Sequence, residues 1–246
     1  MYFFYNDYKV NYYISGTKDW LVLLHGWKMS QDTYIGVTNK LSKHYKVLSI
    51  DLLGFGESDL PNEPLFISDY LDMLEKLLNH LGIENPTLLG HSFGGKLATY
   101  YALKHKVKKL ILVSPSGIKH FNLKVFLKIR LYKFIKFIYK ILGIDITKLQ
   151  NKYGSNDYKN LSPVMKKTMT NILKGNVKKE LKKITSPTLM LWGYYDKITP
   201  YKDSNIYLKK IKNSKLVTFQ RSGHFCYLDE PEKFIYTIIS EEKLWI

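Results

Sequence analysis

The chain of 246 residues is long enough to bury a core of its own, as one sizeable domain or two small ones. Its composition, 45% hydrophobic and 24% charged, is that of a globular protein and excludes a largely disordered, collagenous or disulfide-stapled chain. One cysteine, Cys226, excludes an intrachain disulfide and is consistent with a reducing compartment. Because there is no uncharged apolar run of about 18 residues and no recognisable signal peptide, we expect a cytoplasmic location.

The net charge of +17 is concentrated in one middle segment. Residues 116–185 hold 17 Lys and Arg against 3 Asp and Glu, whereas the stretches on either side are nearly balanced. Only Arg130 and Arg221 are arginine, a bias that codon drift in an A/T-rich genome would produce. The segment also lacks a nucleic-acid recognition motif, so we expect no nucleic-acid partner.

Short apolar segments alternate with helical patterns along the chain. The segments predicted as strands are 8–14, 20–24, 46–50, 86–90 and 109–113, and after the basic segment 187–192 and 215–219. Residues 68–81 place leucines at helical spacing, with Ser68 as the expected N-cap and Gly82 as the expected C-cap. A closing helix is expected over residues 231–244. Strands that alternate with helices predict a parallel sheet covered on both faces.

The basic middle segment interrupts this alternation. Residues 121–142 are helical in composition, and a helical wheel separates two sets of side chains: Arg130, Lys133, Lys136 and Lys140 on one face, Leu131, Ile135, Ile138 and Leu142 on the other. Lys124 and Lys128 lie off the basic face, which favours a kink or two helices over one. The basic face is interpreted as a solvated surface or as a contact for an anionic surface or partner.

Residues 90–95, GHSFGG, follow an apolar strand and precede a helical pattern, which is the context that a G-x-S-x-G nucleophile turn requires. The glycines permit a turn too tight for side chains. The turn raises Ser92 above the sheet at a helix N-terminus, where developing negative charge is favoured. This pattern indicates a nucleophilic serine, and the alternative is a turn serine with a structural role.

A serine hydroxyl needs a base to remove its proton, and the base needs a partner that holds its tautomer. His224 follows the last predicted strand and is the expected base, because its loop leaves the same edge of the sheet as Ser92. Asp196 closely follows the predicted strand 187–192 and is the expected acid, with Asp203 as the runner-up. His25 is expected to brace its own loop. Four further histidines are expected to be exposed: His44, His80, His105 and His120.

An oxyanion hole requires two backbone N–H groups that point to the developing charge. Phe93, directly after the proposed nucleophile, offers one of them. Trp27, in the loop after the strand 20–24, offers the other. No metal and no organic cofactor are implied, and the sequence does not define the residues that bind the substrate.

Together these residues resemble the cap-bearing, single-domain α/β-hydrolases. The matching segments cover almost the whole chain outside residues 117–183: HGW at 25–27, DLLGFGESD at 51–59, GHSFGG at 90–95, PTLMLWGYYDKITP at 187–200 and GHFCYLDEPEKF at 223–234. The resemblance implies an α/β-hydrolase fold, with a mostly parallel eight-stranded sheet flanked by helices. It further implies a core domain of residues 1–116 and 184–246, with residues 117–183 as a basic helical cap inserted after the sixth strand.

The resemblance also assigns roles: Ser92 as nucleophile, Asp196 as acid and His224 as base, with Trp27 and Phe93 supplying the oxyanion amides. Serine at position 92 argues against the family members that use a nucleophilic Asp. The expected activity is therefore that of a serine hydrolase acting on a small-molecule ester or acyl substrate, and carboxylic ester hydrolysis is the first choice.

Several alternatives stay open at this point. Within the family, the bond cleaved could be the carbon–carbon bond of a β-diketone-like substrate, a thioester or a lactone. A protein of another class, a ligand-binding member without turnover, would share the fold. The basic cap predicts an acyl substrate held by an acidic partner, such as an acyl carrier protein, or presented at an anionic membrane. Lysine codon drift is the simpler explanation of the charge.

Overall fold

The computed structural model describes residues 1–120, 123–142, 158 and 160–240. Its strands form one eight-stranded sheet: β1 (Tyr2–Tyr5), β2 (Tyr8–Ser15), β3 (Trp20–Leu24), β4 (Lys46–Ile50), β5 (Thr87–His91), β6 (Lys109–Val113), β7 (Thr188–Gly193) and β8 (Ser214–Phe219). The order across the sheet is β1-β2-β4-β3-β5-β6-β7-β8. The pairs β1–β2 and β2–β4 are antiparallel, and all other neighbours are parallel. The predicted mostly parallel sheet of eight strands is confirmed.

Helices lie on both faces of this sheet. In chain order they are α1 (Ile35–Leu41), α2 (Ile67–His80), α3 (Phe93–Ala102), α4 (Leu123–Ile141), α5 (Pro163–Lys174), α6 (Lys202–Lys210), α7 (Cys226–Asp229) and α8 (Pro231–Ser240). Successive side chains of a strand point to opposite faces. In β3, Leu21 and Leu23 therefore join the core cluster that contains α1 and α8, while Val22 and Leu24 join the cluster that contains α2 and α3.

Two predicted boundaries differ in detail. The N-cap of α2 is Phe66, and the carboxylate of Asp69 accepts a hydrogen bond of 2.7 Å from the Phe66 N–H. The prediction of Ser68 as N-cap is thus wrong, because an acidic side chain in the first turn satisfies the free N–H instead. At the other end Leu81 is the C-cap, and the following Gly82 has a positive φ of 64°. The closing helix α8 ends at Ser240, and residues 241–244 lie outside the described residues.

The segment α4 is one continuous helix from Leu123 to Ile141, so the alternative of two helices is wrong for these residues, and the expected kink stays a prediction. The sequence of α4 contains neither Gly nor Pro, the residues that interrupt helices most strongly. Among its large apolar side chains that the structure describes, five are more than half exposed: Leu127, Leu131, Phe134, Phe137 and Ile141. Leu142, directly after the helix, is equally exposed. The basic residues with described side chains, Arg130, Lys133 and Lys136, are exposed as well, whereas the side chains of Lys124, Lys128 and Lys140 lie outside the described part.

Both α4 and α5 lie between β6 and β7, within residues 117–183. The division of the chain into a core and an inserted cap stays a prediction. Among the described helices, none combines the length and the apolar character needed to cross a bilayer.

The single cysteine lies at the start of α7, on the side of the sheet that carries α1 and α8. Cys226 is fully buried in that core cluster and forms no disulfide. Burial raises the pKa of its thiol well above the ordinary value, and nearby carboxylates, chiefly Asp229, add to the effect. The thiol therefore stays protonated and packs as a small apolar group.

Candidate active site

Four loops leave the same edge of the sheet and carry all five predicted site residues. The strands β3, β5, β7 and β8 are parallel, so their carboxyl ends lie along one edge. Trp27 comes three residues after β3, Ser92 directly after β5, Asp196 three residues after β7 and His224 five residues after β8. A cavity of about 640 Å³ opens there, and Ser92, His224, Trp27 and Phe93 all line it.

The turn that holds Ser92 is strained and depends on two glycines. Ser92 has φ 50° and ψ −110°, an unusual conformation for a residue with a side chain, and it immediately precedes α3. A Cβ atom at Gly90 would lie 2.2 Å from the carbonyl oxygen of Gly94. A Cβ atom at Gly94 would lie 2.2 Å from the carbonyl oxygen of Leu24. Only glycine therefore lets α3 fold back against β5 and lets the turn contact the loop after β3.

Asp196 and His224 form a buried, hydrogen-bonded pair. His224 Nδ1 lies 2.8 Å from Asp196 Oδ2, and both residues are less than a tenth exposed. Asp196 Oδ1 accepts hydrogen bonds from the N–H groups of Ile198 and Thr199, at 2.8 and 2.9 Å. Thr199 Oγ1 lies 2.8 Å from Asp196 Oδ2. Burial would raise the pKa of Asp196, but the hydrogen bonds from His224 and Thr199 outweigh it and hold that pKa below its ordinary value.

An ionised carboxylate only accepts hydrogen bonds, so Nδ1 of His224 carries the proton in this pair. The other ring nitrogen, Nε2, is then the basic one. The runner-up acid, Asp203, lies in the first turn of α6 and pairs with His120, whose Nε2 is 2.5 Å from Asp203 Oδ1. Of the two candidate acids, the structure brings Asp196 and not Asp203 to His224.

His91, the first variable residue of the G-x-S-x-G motif, supports the loop of His224. Its Nε2 donates a 2.9 Å hydrogen bond to the carbonyl oxygen of His224, and the centres of the two rings are 4.6 Å apart. Burial and the neighbouring His224 lower the pKa of His91 to about 3, so His91 is neutral. Because the His91 ring is fixed and neutral, it positions the expected base, His224, without adding charge. The sequence pattern gave no signal for this contact.

The predicted bracing role of His25 is confirmed. His25 Nε2 accepts a 2.9 Å hydrogen bond from the Leu52 N–H, so its Nδ1 carries the proton and donates to the carbonyl oxygen of Gly26 at 2.8 Å. Burial lowers the pKa of His25, which keeps the ring neutral. His25 thus joins the loop after β3 to the loop after β4 and is unavailable as a catalytic base.

The two predicted oxyanion amides belong to loops that are joined directly. The Gly94 N–H donates a 3.1 Å hydrogen bond to the carbonyl oxygen of His25, which fixes the turn of Ser92 against the loop of Trp27. The Trp27 ring packs edge-on against Phe93, with ring centres 5.7 Å apart. Within the part of the chain that the structure describes, neither the Trp27 N–H nor the Phe93 N–H donates to a protein acceptor. Both amides are thus available to a ligand oxygen.

Part of the cavity wall comes from the segment between β6 and β7. Three apolar residues of α5 line it: Met169, Ile172 and Leu173. Lys96 of α3 and Lys119 line it as well, as does the His120–Asp203 pair. His120 is exposed at the surface, as predicted, but its contact with the buried Asp203 places it in the cavity wall. Among the described residues, no three His, Cys, Asp or Glu side chains are grouped so that they could hold a metal ion.

The family model for the alpha/beta hydrolase fold matches residues 19–139 and 143–231. The chain belongs to this hydrolase family. It is 31% identical to a proline iminopeptidase of Saccharolobus solfataricus, with 95% of this chain and 87% of the relative aligned. It is 27% identical to a pimeloyl-[acyl-carrier protein] methyl ester esterase of Vibrio vulnificus, with 89% and 92% aligned. Among solved structures, an esterase from Exiguobacterium antarcticum matches 96% of each chain with a TM-score of 0.76 and 26% identity.

Proposed function

We propose that this protein is a serine hydrolase that cleaves carboxylic esters through an acyl-enzyme intermediate. The observation that carries the proposal is the 2.8 Å hydrogen bond between Asp196 and His224, beside a cavity that His224 shares with Ser92. Nε2 of His224 takes the proton of Ser92 Oγ as that oxygen attacks the ester carbonyl. The N–H groups of Trp27 and Phe93 bind the resulting oxyanion.

The second half of the reaction uses the same groups. His224 gives its proton to the alkoxide, and the alcohol leaves. A water molecule, deprotonated by His224, then attacks the acyl-enzyme and releases the carboxylic acid and free Ser92. Asp196 stabilises the charged imidazole in both halves and fixes its orientation.

The type of bond is inferred from the chemistry of the leaving group. Esters make a smaller demand on the site than amides or carbon–carbon bonds, because an alkoxide leaves more readily than an amine or a carbanion. The relatives include one protein named as a peptidase and one named as an ester hydrolase, so similarity supports hydrolysis without selecting the bond. Thioesters, lactones and β-diketone-like carbon–carbon bonds are the alternatives to be assayed beside esters.

The deciding experiment is labelling with a fluorophosphonate probe, followed by assays with p-nitrophenyl esters of increasing acyl length and a vinylogous diketone. We expect labelling and ester turnover in the natural protein and neither in Ser92→Ala. Ser116→Ala is the matched control, since Ser116 lines the same cavity and its hydroxyl donates to the Ser92 carbonyl oxygen at 3.2 Å. Absence of labelling in the folded natural protein would favour a ligand-binding member without turnover.

For the basic segment we propose that α4 lies on an anionic lipid surface. Its five large apolar side chains that are more than half exposed are the supporting observation, since an apolar surface of that kind on a single helix marks an interaction site. Exposed Arg130, Lys133 and Lys136 on the same helix complement anionic headgroups. The helix also begins three residues after His120, in the wall of the cavity. A lipid surface is favoured over an acidic carrier protein as the partner of α4, because binding through charge alone would not require exposed apolar side chains.

Sedimentation with phosphatidylglycerol vesicles tests this partner, with phosphatidylcholine vesicles as the comparison. We expect binding to the anionic vesicles that weakens with salt and is lost in Phe134→Glu. Tyr236→Glu is the control, because Tyr236 is also an exposed aromatic residue but lies on α8. Equal binding of both variants, or no binding to anionic vesicles, would refute the lipid contact. Salt-sensitive binding to an acidic acyl carrier protein alone would replace lipid with that partner.

A further inference from the structure

Lys96 is a buried cation in the wall of the cavity. It lies on α3, one helical turn after Ser92, and its backbone N–H donates to the Ser92 carbonyl oxygen at 3.0 Å. Only 3% of Lys96 is exposed, yet the residue lines the same cavity as Ser92 and His224. Burying a charge is costly unless it is paired or hydrogen-bonded, so the partners of this ammonium group indicate its role.

The protein partners of Lys96 are neutral. Its Nζ donates to the carbonyl oxygen of Ile172 and, at 3.1 Å, to that of Gly175, at the C-terminal end of α5. An ammonium group has three N–H donors, so one donor is left over. In the described part of the chain, no Asp or Glu forms a salt bridge with Lys96. The carbonyl oxygens supply partial negative charge but no full counter-ion.

The rest of the cavity does not supply that counter-ion either. Among the described residues that line it, the only carboxylate is Asp203, which is already paired with His120. Lys119 adds a further cation to the wall, and its Nζ donates to the Lys174 carbonyl oxygen at 2.7 Å. Burial and the nearby Lys119 lower the pKa of Lys96 to about 8, so the group is still mainly protonated at neutral pH. The cavity therefore combines an apolar wall with an unneutralised positive charge.

We propose that Lys96 binds a carboxylate of the substrate, so that the preferred esters are half-esters of dicarboxylic acids. This inference rests on the proposed esterase function and names its substrate class. One helical turn places the Cα atoms of Ser92 and Lys96 roughly 6 Å apart, a separation that a six-carbon acyl chain attached to Ser92 can span. The apolar residues of α5, Met169 and Leu173, accommodate the methylene chain between the two ends. Because Ser92 directly precedes α3 and Lys96 lies on α3, the carboxylate stays bound through acylation and deacylation.

A purely structural role for Lys96 makes a different prediction. If Lys96 only holds the end of α5, its loss should reduce turnover of charged and neutral esters alike. The test therefore compares kcat/KM for monoethyl adipate with kcat/KM for ethyl hexanoate, which has the same acyl length and no carboxylate. The ratio of the two values does not depend on how much of the protein is folded. It therefore remains informative even if Lys96→Met is unstable.

We expect monoethyl adipate to be the better substrate of the natural protein by at least tenfold, which corresponds to about 1.4 kcal/mol. In Lys96→Met this ratio should fall to near one. Lys104→Met is the matched control, because Lys104 is exposed and lies just after α3, outside the cavity lining. Lys104→Met should keep the kcat/KM values for both esters, and therefore their ratio. A ratio near one in the natural protein, or an unchanged ratio in Lys96→Met, would overturn the assignment.

A binding measurement separates this inference from the proposed function. Calorimetry of Ser92→Ala with monoethyl adipate and with ethyl hexanoate needs no turnover, and monoethyl adipate should bind at least tenfold more tightly. If ethyl hexanoate is hydrolysed through Ser92 but monoethyl adipate has no advantage in either assay, the carboxylate site is wrong and the esterase proposal stands. If monoethyl adipate binds in a manner that requires Lys96 but no ester is cleaved, the esterase proposal fails and the anion site stands.

Discussion

The hydrogen bonds around Asp196 predict what the variant Asp196→Asn should do. The carboxylate accepts from the N–H groups of Ile198 and Thr199 through Oδ1 and faces His224 Nδ1 and Thr199 Oγ1 through Oδ2. An asparagine can keep its oxygen on the two backbone N–H groups. Its NH2 group then faces His224 Nδ1, which must become the acceptor. The proton moves to Nε2, and the base can no longer accept the proton of Ser92.

The size of the expected loss in kcat follows from this change of tautomer. In comparable triads the exchange of acid for amide lowers kcat by about 10⁴-fold, and each tenfold loss corresponds to about 1.4 kcal/mol of transition-state stabilisation. The two backbone hydrogen bonds that fix the loop are kept, so thermal stability should change far less than activity. A large kinetic loss with a small change in melting temperature is the expected signature.

The assay is kcat for a p-nitrophenyl ester, with the melting temperature measured on the same preparations. Asp203→Asn is the comparison, because Asp203 pairs with His120 and not with His224. We expect it to lower kcat by less than tenfold. The role assigned to Asp196 is refuted if folded Asp196→Asn keeps kcat within tenfold of the natural protein, or if Asp203→Asn lowers kcat more than Asp196→Asn does.

Two further predictions concern the turn of Ser92 and the buried lysine. Gly94→Ala should lower kcat by about 10²- to 10³-fold, as for loss of one oxyanion donor, because the new Cβ would lie 2.2 Å from the Leu24 carbonyl oxygen and displace the turn. Ser116→Ala should be milder in the same ester assay, and equal losses would contradict the argument. The preference for monoethyl adipate over ethyl hexanoate should fall between pH 7 and pH 9, because Lys96, with a pKa of about 8, loses its charge as pH rises. A ratio that is constant over this range would show that the ammonium charge is not used.

The central sheet could be predicted because its strands are short and uniformly apolar. The predicted bounds of β3, β4 and β6 agree with the structure residue for residue. The strand β1 (Tyr2–Tyr5) has no such pattern, since most of its aromatic residues stay partly or fully exposed at the edge of the sheet. Asn6 and Asp7, both with positive φ, form the tight turn into β2, and this residue pair is the signal that could have revealed the strand.

The predicted site residues are those whose place follows from the ends of parallel strands. Ser92, Asp196 and His224 each follow a strand closely, so the topology alone brings their loops together. Lys96 and the pair of His120 with Asp203 could not be found in this way. Their contacts depend on where the end of α5 and the segment before α4 pack, and no local sequence pattern encodes that packing. For α4, the helical wheel predicted a basic side and an apolar side but could not tell whether the apolar side would be covered.

The fully buried Cys226 has a practical consequence for experiments on this protein. Since it is the only cysteine and its thiol is protonated, maleimide reagents should leave the native chain unmodified under mild conditions. Two cysteines introduced together, at Phe134 on α4 and at Leu173 beside the cavity, would then carry fluorophores or spin labels at defined places. Distances between such labels would report whether helix and cavity mouth move during a catalytic cycle, without any need to remove a natural thiol.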